Sequence, residues 1–399
     1  MNGAGILSAI ELERLRAYRL ARVRGKLEAA DLAGIVLFDP INIRYATDVS
    51  NMQVWSLHNP ARYAFIATDG PVVMFEFKGS DHIAHGPGTV DEVRPATSWF
   101  YFTCGPRVAE KAKLWAAEIV ELVTRHGGGN ARLAYDRLDP AGAAELTRLG
   151  LSLEEGQGLM EEARSIKSGE EIAAMKASIA VCEQGMRRMQ TALKAGITEN
   201  VLWSILHETN IALGGEWIET RLLSSGPRTN PWYQECGPRV IEAGDIVAFD
   251  TDLIGPYGYC ADISRSWLCG GGKPNDAQRR LYALAHQEVM DNIEALEPGL
   301  GFRDYTMGRG RLPAPFDEQR YAFRAHGVGL ADEWPGIVYE EDYEAWGYDG
   351  VFEENMTVCV EAYIGAPGGG EGIKLEEQVL ITKEGARALS SYPYEESFL

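Results

Sequence analysis

No run in this 399-residue chain approaches the ~20 consecutive apolar residues that a membrane-spanning helix needs. Basic residues are also in short supply: 38 Lys and Arg stand against 58 Asp and Glu, a formal net charge of −20. Nucleic-acid recognition needs a basic face, so that class is excluded. Cysteine is sparse. The six residues Cys104, Cys182, Cys236, Cys260, Cys269 and Cys359 form no CxxC pair. That argues against a disulfide scaffold and a thiolate zinc cluster, and for reduced cytosolic thiols. The opening MNGAGILSAIELERLR has neither the basic start nor the long apolar stretch of a signal peptide, so a cytoplasmic protein is expected. Histidine is scarce too, and six of the seven (His58, His82, His85, His126, His207, His286) lack ligand-like surroundings and read as structural.

What is present fits a soluble globular protein, with 45% hydrophobic and 24% charged residues. The length predicts two domains. Over residues 1–164 helical and strand patterns alternate, as in an α/β domain. ELERLRAYRLARVRGKLEAA has helical periodicity, GIVLF, YAFIA, VVMFE and RLAYD fit buried strands, and Lys111–His126 reads as a helix stopped at Gly127–Gly129. A boundary is expected near Arg164–Ser168. Ser168 and Glu171 have capping-box spacing, so each side chain can satisfy a free N–H of the first turn. Thr198 starts a second helix that Gly214–Gly215 stops. Residues 165–399 then read mainly as hairpins, with helices near Asp276–Leu296 and Arg303–Gly308, which makes this half α+β.

The hairpins carry acid. In IVAFDTDLIGPYGYCADISRSW, strand alternation points Asp250 and Asp252 the same way, and a turn centred on Tyr257 sets Asp252 opposite Asp262. In VCVEAYIGAPGGGEGIKLEEQVLIT, pairing centred near Gly368–Gly369 sets Glu361 opposite Glu376. Facing like charges destabilise a sheet and resist ionisation unless a cation neutralises them. A lone Asp or Glu is usually a solvated surface group. Here the flanking Ile246, Val247, Phe249, Val358 and Val360 are apolar, and few Lys or Arg lie nearby to act as partners. With His326 of AHGVGL as a nitrogen donor, Asp250, Asp252, Asp262, Glu361 and Glu376 predict a site for two divalent metal ions. The carboxylate-rich donor set suits Mn, Fe, Co or Zn.

These residues resemble the pita-bread superfamily of methionine aminopeptidase, aminopeptidase P, prolidase and creatinase. The resemblance spans the chain and implies a smaller creatinase-like N-terminal α/β domain before a pita-bread metal-binding domain. That family's ligands, Asp, Asp, His, Glu and Glu, look like Asp252, Asp262, His326, Glu361 and Glu376, with Asp250 an extra carboxylate. Two departures stand out. SGPRTNPWYQE has Trp232 where the peptidases have a histidine, and HGVGLADEWP has Asp332 and Glu333 where they have another. The segments NIRYATD, NMQVWSLHNPAR, GGEWIETRLLSSGPRTNPW, FDTDLIG and IKLEEQVLIT closely resemble one branch, the DddP-type dimethylsulfoniopropionate lyases.

In that branch Asp250 is also a ligand, the metal is iron and the enzyme is a homodimer, and the resemblance implies the same here. Cleavage of this small zwitterion by β-elimination needs a base but consumes no water, so the hydrolytic histidines become unnecessary. Asp332 matches the branch's proposed base, and Glu333 is its nearest competitor. Trp55 and Tyr321 match positions implicated in substrate binding. Trp334 is added for its closeness to Asp332. Their aromatic faces suit a sulfonium, which donates no conventional hydrogen bond. Arg221 and Arg228 can bind a carboxylate or serve as structural ion pairs. The alternatives are a metallohydrolase of a small C–N substrate and a non-catalytic pita-bread binding protein.

Overall fold

The computed structural model describes residues 7–399. Residues 1–6, part of the segment read as lacking a signal peptide, lie outside the described residues. The chain divides into two compact units, Ser8–Arg164 on one side and Leu7 with Ser165–Leu399 on the other.

The N-terminal unit is built on a six-stranded mixed sheet. Its spatial order is Glu92–Pro95, Val72–Glu76, Tyr63–Ala67, Gly34–Leu37, Arg132–Tyr135 and Ser152–Glu155. The middle strands are apolar and buried along their whole length, which suits a sheet covered on both faces. Helix Val108–His126 buries Trp115, Ile119 and Leu122 against this sheet's core, beside Phe38, Tyr63 and Trp99.

The C-terminal unit is α+β. Helix Gly169–Ala192 starts at the Ser168–Glu171 capping box, with Glu171 N–H donating to Ser168 Oγ at 3.2 Å and Ser168 N–H to Glu171 Oε2 at 2.8 Å. Thr198 caps the next helix, Glu199–Ala212. Both pack on two small sheets through Met186, Leu202, Leu206, Val247, Phe249 and Leu253. The larger sheet has five strands in the order Asp332–Val338, Phe323–Val328, Thr357–Ile364, Ile373–Thr382 and Gly385–Ala388. Helix Asp276–Glu294 contributes Tyr282, Ala285 and Val289 to the core shared with that sheet.

Both hairpins keep the register that their turns predict. Leu253 pairs with Ala261 and Phe249 with Arg265, one continuous register centred on Tyr257. Glu361 pairs directly with Glu376. The first hairpin departs from expectation in one respect. It is not a single strand, because Ile246–Phe249 ends before Asp250 and pairing resumes at Leu253. Asp252 takes a left-handed φ of 35°, uncommon for a residue with a side chain. Thr251 bridges the gap: its hydroxyl donates to Ala261 O and accepts from Ile263 N–H, both at 2.9 Å, in place of ladder bonds.

The spacing of HGVG has a steric cause. A Cβ on Gly327 would lie 2.2 Å from the Trp334 carbonyl oxygen, and one on Gly329 would lie 2.5 Å from the Glu333 carboxylate. At Gly327 the two adjacent strands therefore approach too closely for a side chain, and Gly329 leaves room for the Glu333 carboxylate. Gly327→Ala should destabilise the protein by about 1–3 kcal/mol, as overpacking of a tight backbone contact does. Gly308→Ala, where a Cβ meets nothing within 4 Å, should change stability little. Denaturant midpoints of the two variants measure the contrast, and equal midpoints would contradict the steric account.

Candidate metal centre

Asp250, Asp252, Asp262, Glu361 and Glu376 are all buried, and the two hairpins bring them to one place with His326. The His326 Nε2 lies 3.6 Å from Asp262 Oδ2, 3.5 Å from Glu361 Oε1 and 3.4 Å from Glu376 Oε1. Its Nδ1 is 3.0 Å from the Gly327 carbonyl oxygen, an acceptor that favours a proton on Nδ1 and leaves Nε2 as the donor atom. The carboxylates differ in how well they are satisfied. Asp250 Oδ1 accepts from Thr251 N–H at 3.1 Å and Ser264 Oγ at 2.7 Å, and Thr220 donates to Asp252. By contrast Asp262 Oδ1, Glu361 Oε1 and Glu376 Oε1 are buried without a hydrogen-bond donor among the described residues. A buried carboxylate oxygen left in that condition is costly unless a cation faces it. The donor set therefore fits a divalent ion, held by Asp262, His326, Glu361 and Glu376, and a second, held by Asp250, Asp252 and Asp262.

Two residues reach the centre without having been singled out. The first bears on the expectation that few basic residues are at hand to pair with the acids. Lys374 Nζ is fully buried, 3.0 Å from Asp250 Oδ2, 2.9 Å from Glu361 Oε2, and 2.8 Å from both Glu376 Oε2 and Ser264 Oγ. A signal existed: Lys374 lies two residues before Glu376, hence on the same face of the strand. The second is Cys359. It pairs with His326 across the strands, and its sulfur groups with Asp262, His326 and Glu376. The other histidines belong to no such group among the described residues.

Asp332 borders this cluster, with Oδ1 3.9 Å from His326 Nδ1 and its side chain 49% exposed. Glu333 turns the other way. Its buried carboxylate pairs with Lys167 at 3.1 Å and accepts from Leu330 N–H at 3.0 Å. Tyr321 lies at the centre, but its ring is already engaged, with Lys374 Nζ 4.6 Å from the centroid and Tyr233 stacked at 5.2 Å. Tyr233 itself is 56% exposed. Trp232 is buried, stacked on Tyr363 at 5.9 Å, with Lys374 Nζ 6.0 Å from its ring. Trp334 sets its ring edge-on to Phe302 at 5.4 Å, against the apolar core. Trp55 belongs to the N-terminal unit, on the short helix Gln53–His58, with its ring beside Phe77. Arg228 pairs with Glu199, and Arg221 donates to the Cys236 carbonyl at 2.9 Å, so their observed partners are structural.

Electrostatics follow from crowding. Burial, reinforced by the Glu376 charge, pushes Asp250 up to about 6. Burial pushes Glu361 up to about 8 despite Lys374. Asp252 and Asp262 are raised well above the carboxylate range by burial and by the neighbouring acids. Burial opposes ionisation of Glu376 as well, yet Lys374 and His326 hold it well below its ordinary value. For His326, burial works against the proton, but Asp332, Glu376 and Glu361 raise its affinity well above that of a free imidazole.

Residues 173–383 match the model of metallopeptidase family M24. The chain is 42% identical to the dimethylsulfoniopropionate lyase DddP of Roseovarius nubinhibens, covering 98% of this chain and 89% of that protein. It is likewise 42% identical to the DddP lyase of Roseobacter denitrificans, covering 98% and 88%. Among solved structures it is similar to the Xaa-Pro dipeptidase from Bacillus anthracis, with a TM-score of 0.74 at 22% identity over 95% of this chain and 99% of that one. The prolidase from Pyrococcus horikoshii gives the same TM-score at 18% identity, over 94% and 99%. These last two likenesses speak to the fold alone, a pita-bread domain preceded in the chain by a smaller α/β domain.

Without a bound cation, the raised carboxylates set a pH dependence. A carboxyl whose folded pKa exceeds its unfolded one takes up a proton on folding, so stability falls as pH rises between the two values. Asp250 (3.8 to about 6) and Glu361 (4.5 to about 8) place that fall between pH 4 and 8, and the raised His326 acts in the same direction. Chelator-treated protein should therefore melt at a lower temperature at pH 8 than at pH 5.5. Adding divalent metal at pH 7 should release protons and reverse the loss. A melting temperature that rises with pH in chelator would overturn this electrostatic picture.

Proposed function

The chain belongs to metallopeptidase family M24 and to the DddP-type dimethylsulfoniopropionate lyases, and we propose that it cleaves dimethylsulfoniopropionate to dimethyl sulfide and acrylate by β-elimination. The observation that carries this reading is the position of Asp332. It is a half-exposed carboxylate at the edge of a buried acidic centre, beside His326, at a point that a small substrate can reach from solvent.

The reaction removes a proton from the carbon next to the substrate carboxylate. The electrons of that C–H bond form the C=C double bond, the C–S bond breaks, and neutral dimethyl sulfide leaves with the former C–S electron pair. Asp332 accepts the proton and returns it to solvent. Glu333 is the weaker candidate, because its carboxylate is enclosed and committed to Lys167 and the Leu330 N–H. Partial burial and the charge of Glu376 raise the Asp332 pKa while His326 opposes them, and a raised pKa strengthens a base as long as it stays ionised. Asp250, Asp252, Asp262, His326, Glu361 and Glu376 would hold the divalent ions, which would supply positive charge toward the substrate carboxylate. Iron is the ion this reading takes, and a homodimer the assembly, both from the likeness to DddP-type lyases.

The sulfonium needs an aromatic face, and such contacts contribute roughly 0.5–2 kcal/mol. Tyr321 has its ring covered by Lys374 and Tyr233, so the exposed Tyr233 ring, stacked on Tyr321, is the face available there. Trp55 remains a candidate on the N-terminal unit. The buried Trp232 ring stands where a peptidase would place a histidine, which suits a reaction that activates no water.

Metal-loaded protein given dimethylsulfoniopropionate should release dimethyl sulfide into the headspace, and none should form after chelation. Asp332→Asn should lower kcat by roughly 100- to 10,000-fold, the span of general base catalysis, with the fold intact. Glu333→Gln should instead destabilise the fold, because it removes a buried carboxylate that pairs with Lys167 and accepts from the Leu330 N–H. Undiminished turnover by Asp332→Asn would remove it as the base. Proline release from dipeptides, without dimethyl sulfide, would replace the lyase reading with a hydrolase.

A further inference from the structure

The five buried carboxylates offer three overlapping cation positions. One is framed by Asp262, His326, Cys359 and Glu376, one by Asp250, Asp252 and Asp262, and one by Asp250, Glu361 and Glu376. The third is the trio around Lys374. Its ammonium meets Asp250 Oδ2, Glu361 Oε2 and Glu376 Oε2 at 2.8–3.0 Å and Ser264 Oγ at 2.8 Å, with the Tyr321 ring 4.6 Å away. An ammonium has three protons, so four oxygens at these distances use its full donor capacity. Glu361 Oε2 meets the ammonium as an ion pair at 2.9 Å and has no hydrogen-bond donor of its own, as is also true of Asp262 Oδ1, Glu361 Oε1 and Glu376 Oε1 outside the cage.

Lys374 also completes the charge balance. Two divalent ions neutralise four of the five carboxylates, and the lysine neutralises the fifth. Asp250 and Lys374 therefore make sense as a pair: the extra acid is matched by an internal cation rather than by more metal.

We propose that Lys374 is a resident cation of the centre that competes with metal. Its ammonium keeps divalent ions out of the Asp250–Glu361–Glu376 position and weakens ion binding at the adjoining position that shares Asp250. This rests on the metal-centre reading above. Remove the ammonium, and three carboxylate oxygens lose their cation, so the centre takes up metal more avidly.

The test is equilibrium binding of manganese(II) to the full chain after chelation, with stoichiometry from elemental analysis and affinity from chelator competition. Lys374→Gln should bind its most weakly held ion at least ten-fold more tightly than wild type, or take up one additional ion per chain. Lys374→Arg, which keeps the charge, should match wild type. Unchanged or weaker binding by a folded Lys374→Gln would overturn the proposal. If that variant folds only with manganese present, the metal has replaced the ammonium, as proposed. If it folds under neither condition, the stoichiometry of the wild-type protein decides: one or two manganese ions per chain supports the proposal, because the ammonium fills the Asp250–Glu361–Glu376 position, and a third ion overturns it. Wild-type protein that binds no manganese would sink the metal-centre reading itself, a different outcome from any of these.

Discussion

A carboxylate taken out of water loses its solvation, and a second one beside it adds repulsion; Asp250, Asp252, Asp262, Glu361 and Glu376 bear both costs together. Much of the C-terminal unit can be read as an answer to that constraint. Ser264 donates to Asp250 and Glu376, Thr220 to Asp252, and the Thr251 N–H to Asp250. Lys374 supplies one full charge. Behind the centre, Arg265 donates to the carbonyl of Glu376 at 2.7 Å and pairs with Glu377 at 2.8 Å, so the strand that presents Glu376 and Lys374 is itself anchored by a buried cation. What these donors leave over is a set of bare oxygens with one imidazole nitrogen aimed at them. That residue of unmet charge is the chemical case for divalent metal.

The parts of this centre that were legible in the sequence are those governed by local rules. Turn residues fix hairpin register, and register fixes which acids face each other, so Glu361 opposite Glu376 follows from Gly368–Gly369, whereas the ladder around Gly255–Gly258 pairs Leu253 with Ala261 and stops short of Asp252. The capping residues Ser168 and Thr198 mark their helices for the same reason. The break at Asp250–Asp252 was not legible. It depends on the Thr251 hydroxyl taking over two backbone bonds, and a Thr in an apolar run gives no sign of that role. Lys374 was missed for a different reason. Its charge is not local to the acids of the first hairpin, and only strand alternation, which sets position 374 on the face of Glu376, points it at them.

Aromatic side chains were the least predictable, because their partners come from distant segments. Tyr321 meets Tyr233 and Lys374, and Trp334 meets Phe302, contacts that no spacing encodes. The consequence for recognition is specific. A lysine ammonium and a sulfonium want the same thing from an aromatic ring, so a ring that already faces Lys374 is a poor platform for an onium substrate on that side. The ring stacked on its other neighbour, Tyr233, is not so engaged, and it is also the more exposed of the two.

The same competition between cations bears on the base. Without bound metal, the positive group beside Asp332 is His326, which holds its proton tightly because acids surround it. A histidine that ligates metal through Nε2 is neutral, so it no longer offers Asp332 a full charge. Whatever keeps Asp332 ionised in the loaded centre must then be the positive charge of the ions together with Lys374. Asp332 and the buried acids are therefore coupled electrostatically, since Glu376 raises its proton affinity while His326 and Lys374 lower it. A hydrolase of this fold would direct that charge toward a water molecule. On the proposed lyase reading, with Trp232 in place of one histidine and Asp332 beside the other's position, that charge would act on the substrate's own carboxylate, and the proton would leave by way of the half-exposed Asp332.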